Sequence, residues 1–180
     1  TERIRRTFLG RALVWLAAAS MVFLPTAPIY ALPRGASVQD GDVSIHRRGD
    51  TLTVRQDSSK AIVNYASFDI DSAETVRFIQ PSSSAAILNR VTGGNASDIA
   101  GALVANGRVY LINPNGILFA SSARVNVGAL VASAMNLSDR DFLAGRLSFS
   151  GGGGSVVNEG SLNGSYVYLV GGAVENKGSI

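Results

Sequence analysis

Val156-Val157-Asn158-Glu159-Gly160-Ser161-Leu162 aligns with Val174-Glu175-Asn176-Lys177-Gly178-Ser179-Ile180. Asn, Gly and Ser recur at a spacing of 18 residues. A unit that short is one supersecondary element and cannot bury an apolar face alone, whereas stacked copies bury a continuous core. An inward aliphatic residue followed by an Asn-x-Gly turn is the pattern of a parallel β-helix rung. The chain stops at Ile180, inside a repeat. A bare end rung exposes unpaired backbone groups, so further rungs are expected beyond residue 180.

Upstream, similar segments recur. Val43 and Ile45 alternate with polar residues, as do Leu52 and Val54, and Arg48-Gly49-Asp50 lies between them as a hairpin turn would. Short β-branched or aromatic runs follow at 61–63, 68–70, 76–79, 109–112, 117–119, 125–127, 147–149, 156–157 and 167–170. Gly, Asn, Ser and Asp punctuate them, which predicts an all-β chain of short strands and turns. Helix signals are few. Ser138-Asp139-Arg140-Asp141 predicts an N-cap with an acid at the third helical position, followed by Phe142-Leu143 and ended by Gly145. Residues 95–104 have room for one more helical turn, weakened by Gly101.

The chain of 180 residues has 46% apolar and 16% charged residues, enough for one folded domain and too apolar for disorder. It has no Cys and a single His, at position 46. Disulfide scaffolds, Cys/His zinc sites and Cys nucleophiles are excluded. Neither a cofactor nor a metal is expected. The formal charge of +3 belongs to the N-terminus. Arg3, Arg5, Arg6 and Arg11 precede an apolar run at 12–24, then Pro25, Pro28 and the small residue Ala31. This is the layout of a secretory signal peptide over residues 1–31, too short to span a bilayer as a helix. Cleavage after Ala31 is expected, leaving residues 32–180 as the mature domain. That segment holds 12 basic and 12 acidic residues. A nucleic-acid groove needs a basic surplus, so no nucleic-acid partner is expected. Lack of Cys suits passage through an oxidising periplasm without trapping disulfides. The chain opens on Thr1 rather than Met, so sequence upstream of it is expected.

Two motifs stand apart. Asn113-Pro114-Asn115-Gly116 sits between two apolar strands. Asn suits the first position of a type I turn, Pro pre-sets the second and Gly is tolerated at the fourth, so a tight corner accounts for it. Asn89-Arg90-Val91 closes a strand before Gly93-Gly94, and Arg90 has the planar fork needed to bridge rungs.

These motifs, with 61–70, 74–80, 109–117, 125–133 and 167–172 in the same order, resemble one family. It is the N-terminal secretion domain of two-partner secretion exoproteins, which include the filamentous haemagglutinins and high-molecular-weight adhesins of Gram-negative bacteria. The resemblance covers about residues 38–180 and implies a right-handed parallel β-helix with an N-terminal cap and short extra-helical hairpins. It implies export through the periplasm to the cell surface or medium. The partner it implies is an outer-membrane TpsB-type transporter, whose periplasmic POTRA domains recognise the chain. A C-terminal region beyond residue 180 would then contact the host cell, with adhesion the expected activity. Asn113 to Gly116, together with Asn89, Arg90 and Val91, match the family's secretion motifs. One departure is Gln80-Pro81-Ser82-Ser83, where some haemagglutinins carry Asn-Pro-Asn-Leu. It places the chain nearer the high-molecular-weight adhesin branch and leaves residues 80–83 without a carried-over role.

The rival reading is a secreted β-helical polysaccharide lyase, which uses acidic clusters with Ca2+. Asp40/Asp42, Asp69/Asp71 and Asp139/Asp141 are the candidate pairs, since residues two apart share a strand face. Acids in turns need no function, however, and no Gly-x-Ser-x-Gly elbow accompanies His46. Arg48-Gly49-Asp50 spells an integrin-binding tripeptide, and Asn95, Asn136 and Asn163 begin glycosylation acceptor triplets, both patterns common by chance in turn-rich chains. Residues 151–154 lack the Asp of the Ca2+-binding nonapeptide and are read as a flexible glycine loop.

Overall fold

The computed structural model describes residues 31–180; the first thirty, which hold nearly all of the expected signal peptide, lie outside the described residues. Three sheets dominate. The first is β1 (Ser37–Asp40), β4 (Lys60–Tyr65), β6 (Ala86–Val91), β9 (Arg108–Ile112), β12 (Ala129–Ser133) and β17 (Val167–Val170), in that spatial order. The second is β7 (Ser97–Ile99), β10 (Ile117–Phe119), β15 (Ser155–Asn158) and β18 (Ala173–Asn176). The third is β2 (Val43–Arg48), β3 (Thr51–Gln56), β5 (Thr75–Ile79), β8 (Ala102–Ala105), β11 (Arg124–Asn126) and β16 (Ser161–Asn163). The chain visits the sheets in rotation, and successive visits pair in parallel, which makes a parallel β-helix. At its N-terminal end two pairings are antiparallel, β1 on β4 and β2 on β3, and these cap the first rung.

The core follows from the register. Ala61, Ile87, Val109, Leu130 and Val167 stack along the first sheet. Leu52, Val76, Leu103, Val125 and Leu162 stack along the third. All but Val167 are buried. Each buried aliphatic side chain stabilises by about 1.5–3 kcal/mol, so every added rung extends one cluster. The 18-residue repeat is a rung: Val156 pairs with Val174 and Asn158 with Asn176. Asn158, fully buried, donates to Asn176 Oδ1 at 2.8 Å and accepts from the Gly160 amide at 3.1 Å. Both ends of its amide are satisfied, which is what a polar group inside a core requires.

A second apolar layer lies outside the rungs. Ile62, Leu88, Tyr110 and Val131 stack on the outer face of the first sheet. The segment after β12 leaves the helix and covers them. It comprises the hairpin β13 (Asn136–Leu137) with β14 (Phe149–Ser150) and, between them, the helix α1 (Asp139–Leu143). Leu137 and Phe142 are buried against that face, with the Phe142 ring edge-on to Tyr110 at 5.2 Å. Burial, with Tyr166 alongside, pushes the Tyr110 phenol up to about 12. α1 begins as its sequence dictates: Ser138 Oγ accepts the Asp141 amide at 3.1 Å.

Three local expectations need correction. Residues 95–104 form strands β7 and β8 rather than a helical turn. Gly101 lies where an added Cβ would run into the carbonyls of Asp71 and Glu74 on the neighbouring rung, so close stacking selects it. Residues 68–70 form no named strand, although Phe68 is buried edge-on to Tyr65 and Ile70 makes a single bridge to Ile99. Of 147–149 only Phe149 joins a strand, because the segment leads back from the excursion instead of crossing a rung.

Candidate functional site

The Asn113–Gly116 corner joins β9 to β10. Gly116 N donates to Asn113 O at 3.0 Å, closing the turn, and Gly116 takes φ +120°, a conformation suited to glycine. Asn113 is fully buried and every polar atom of its side chain is engaged. Its Nδ2 donates to Asn95 O and to Ser97 Oγ, both at 3.0 Å. Its Oδ1 accepts from Asn115 N at 3.0 Å and from Asn115 Nδ2 at 3.2 Å. Asn115, exposed, also reaches down to Gly93 O at 2.8 Å, 22 residues back. The corner is thus stitched to the Gly-rich corner of the preceding rung. Pro114 and Asn115 form its accessible tip.

Asn89, Arg90 and Val91 lie on β6, beside β9, with Arg90 opposite Ile112. Adjacent strands therefore bring the two motifs to the same end of the first sheet, Ile112 being the residue before Asn113. Asn89 and Val91 point inward and are buried. Asn89 Nδ2 donates to Tyr110 O at 3.2 Å, while its Oδ1 is buried without a partner. Arg90 points outward and acts as a clip. Its guanidinium donates to Leu137 O at 2.6 Å and Asn64 Oδ1 at 3.4 Å and pairs with Asp139 Oδ1 at 2.7 Å. Rung bridging by Arg90 is observed, and the same group also fastens the excursion. Lys60 adds a second clip, its ammonium meeting the Phe142 and Leu143 carbonyls at the C-terminal end of α1, where a cation is favoured.

Asp69 and Asp71 stay together, whereas Asp139 and Asp141 turn to different partners. Asp139 serves Arg90, and Asp141 serves Arg146 and Ser138, whose hydrogen bonds, Ser138's first, hold its carboxyl below the usual range. Asp40 ends β1 and Asp42 lies in the turn after it, with Asp42 N on Ser58 Oγ at 3.0 Å. Asp69 and Asp71 line a cleft with Asp98. Burial, then the Asp69 and Asp71 charges, raise the Asp98 carboxyl. Among the described residues no group of three His, Cys, Asp or Glu side chains is arranged to hold a metal ion. His46 is exposed on β2 opposite Thr53. Arg48-Gly49-Asp50 is the exposed turn of the β2–β3 hairpin, with Gly49 at φ +60°. Asn95, Asn136 and Asn163 are exposed, and Asn163 is tied to Asn126 at 3.3 Å.

Sequence reading missed one polar column. Gln56 and Gln80 are buried at the corner between the third and first sheets, and Gln80 Nε2 donates to Gln56 Oε1 at 3.0 Å. Gln80 N donates to Asn106 Oδ1, whose amide donates back to Gln80 O, each at 2.8 Å. Gln80 therefore has a structural role in the 80–83 departure. Its signal in the sequence was only a recurring amide at strand ends. Glu74, also buried, was missed as well.

Comparison with known proteins agrees with this geometry. The TPS secretion domain model matches residues 29–180. A heme/hemopexin-binding protein of Haemophilus influenzae strain Rd is 36% identical over 167 residues, covering 83% of this chain and 18% of that protein. A second Haemophilus influenzae heme/hemopexin-binding protein is 46% identical over 98 residues, covering 54% of this chain and 11% of that protein. The chain thus spans under a fifth of the length of these relatives. The crystal structure of the HMW1 secretion domain from Haemophilus influenzae superimposes with a TM-score of 0.77 at 33% identity, covering 81% of this chain and 41% of that one. A parallel β-helix with an antiparallel cap, an outer excursion and an Asn-Pro-Asn-Gly corner, matched over residues 29–180, belongs to the TPS secretion domain family.

Proposed function

We propose that residues 1–31 are a cleaved secretion leader and that residues 32–180 target a large Gram-negative adhesin for export. In this reading the periplasmic POTRA domains of the outer-membrane transporter recognise the domain, which then nucleates β-helix folding at the cell surface. One observation carries the reading further. Asn113, Asn89 and Val91 are buried, so no partner reaches their side chains in the folded rung. A transporter that reads these residues reads the chain before it folds. Extended segments offer main-chain donors and acceptors to a partner's sheet edge, with alternate side chains adding specificity. Folding outside then buries them and favours the outward state, since apolar burial contributes about 25 cal/mol per Å2.

Two passengers come into question: the resemblance to the high-molecular-weight adhesin branch favours an adhesin, and the heme/hemopexin-binding relatives favour a passenger that binds haem or hemopexin. The test of export is direct. Residues 1–180 are expressed with and without the cognate transporter, and the medium is assayed for the mature fragment. Transporter-dependent release is expected. Retention of a folded fragment in the periplasm with the transporter present would overturn the reading.

A further inference from the structure

Glu74 is a carboxylate at 3% exposure, and none of the ion pairs among the described residues includes it. Its Oε2 accepts the Asp71 amide at 2.9 Å. Its Oε1 accepts the amide of Ala31 at 3.0 Å, 43 residues away. Both donors are neutral, and a buried carboxylate without a cation is costly. Ala31 also lines the cleft that holds Asp69, Asp71 and Asp98, so three further carboxylates face the same place. The next residue, Leu32, is fully buried in the core.

We propose that Glu74 is the binding seat for the α-ammonium of the mature chain. A leader peptidase hydrolyses the Ala31–Leu32 bond, and water supplies the hydroxyl to the Ala31 carboxyl and the proton to the Leu32 amine. At neutral pH that amine takes a second proton, since its ordinary pKa is about 7.7–8.0. Three covalent bonds separate the nitrogens of Ala31 and Leu32, at most about 4 Å, so the new charge arises within about 7 Å of Glu74 Oε1, near enough for the released amine to move onto it. Processing replaces a neutral donor with a cation, supplies the missing partner of the buried carboxylate, and locks the first rung beneath the cap. The leader-bearing chain lacks that lock and stays looser.

The inference rests on the leader reading and not on the transporter. The chain is expressed with its leader, recovered after processing, and its N-terminus read by mass spectrometry. A start at Leu32 is expected, and a start at any other residue would overturn the seat while leaving the secretion assay to stand. The α-amine is then selectively acetylated near neutral pH, since an ordinary α-amine has the lower pKa and reacts ahead of ordinary lysine side chains. Acetylation should lower the Tm of the wild type by more than about 3 °C and that of Glu74→Gln by much less. Equal shifts in the two, or no shift in the wild type, would overturn the pairing. Should Glu74→Gln fail to fold, the acylation rate of the wild-type amine decides. A rate at least about tenfold slower than in the urea-unfolded chain supports the seat, and equal rates refute it.

Discussion

The guanidinium of Arg90 meets the carboxylate of Asp139 at 2.7 Å, joining a strand inside the β-helix to a helix outside it. The two ends are not equivalent. Arg90 is 16% exposed at its side chain and also serves the Leu137 carbonyl, whereas Asp139 is 51% exposed. Arg90→Ala should therefore destabilise by about 1.5–3 kcal/mol, since it leaves buried acceptors unpaired. Asp139→Ala should cost under about 1 kcal/mol, because water replaces an exposed partner. Urea unfolding of both variants checks this, and equal losses would show that the ion pair, not the carbonyl, holds the excursion.

The Asn113–Gly116 corner separates stability from display. Asn113→Ala strands Asn95 O, Ser97 Oγ and Asn115 N, and should cost about 2–3 kcal/mol. Asn115→Ala removes an exposed side chain and should cost under about 1 kcal/mol. Thermal unfolding measures the difference, and secretion assays of the same variants add the second axis. A stable Asn115→Ala chain that is not released would give the tip a role in recognition.

Gly93 and Gly94 are neighbours with opposite expected responses. A Cβ on Gly93 would collide with the Ala66 carbonyl, whereas one on Gly94 meets nothing within 4 Å. Gly93→Ala should destabilise by about 1–3 kcal/mol, of the order seen for overpacking. Gly94→Ala should be neutral or stabilising by up to about 1 kcal/mol through the unfolded chain. Denaturation midpoints of the two variants decide whether rung spacing at this corner is as tight as the backbone implies.

The docking of α1 should weaken in acid. Ser138 and Arg146 hold the Asp141 carboxyl below its unfolded value. A depressed folded pKa contributes stability above the unfolded pKa, near 3.9, which is lost as pH falls through the folded value. Protection of the Phe142 amide against hydrogen exchange, taken relative to its intrinsic rate at each pH from pH 6 downward, should fall in that window. Ser138→Ala should flatten the profile and weaken the cap by about 1 kcal/mol at neutral pH. A profile unchanged in Ser138→Ala would place the acid sensitivity elsewhere.

Residues 43–56 announced a hairpin, residues 138–145 a capped helical turn and residues 113–116 a corner, and all three stand in the structure. Each is decided within a few residues, by alternation, an N-cap hydroxyl or a turn glycine. The 18-residue repeat also revealed stacked rungs, because register between like segments is written in their own pattern. Of the segments that differ from expectation, 95–105 holds two strands of three and four residues around Gly101. Its local propensities are ambiguous, and the glycine is there for carbonyls of another rung.

Unaided, the sequence determined an all-β repeat, its turns and its family motifs, since these depend on neighbours in the chain. Only the tertiary structure decided that Asn89 faces the core while Arg90 faces out, that Gln80 stacks on Gln56, and that Glu74 lies buried against Ala31. Those partners are separated by 24 and 43 residues. Alternation along a strand says that two faces exist, but which face is buried, and against what, is settled only when distant rungs close on one another.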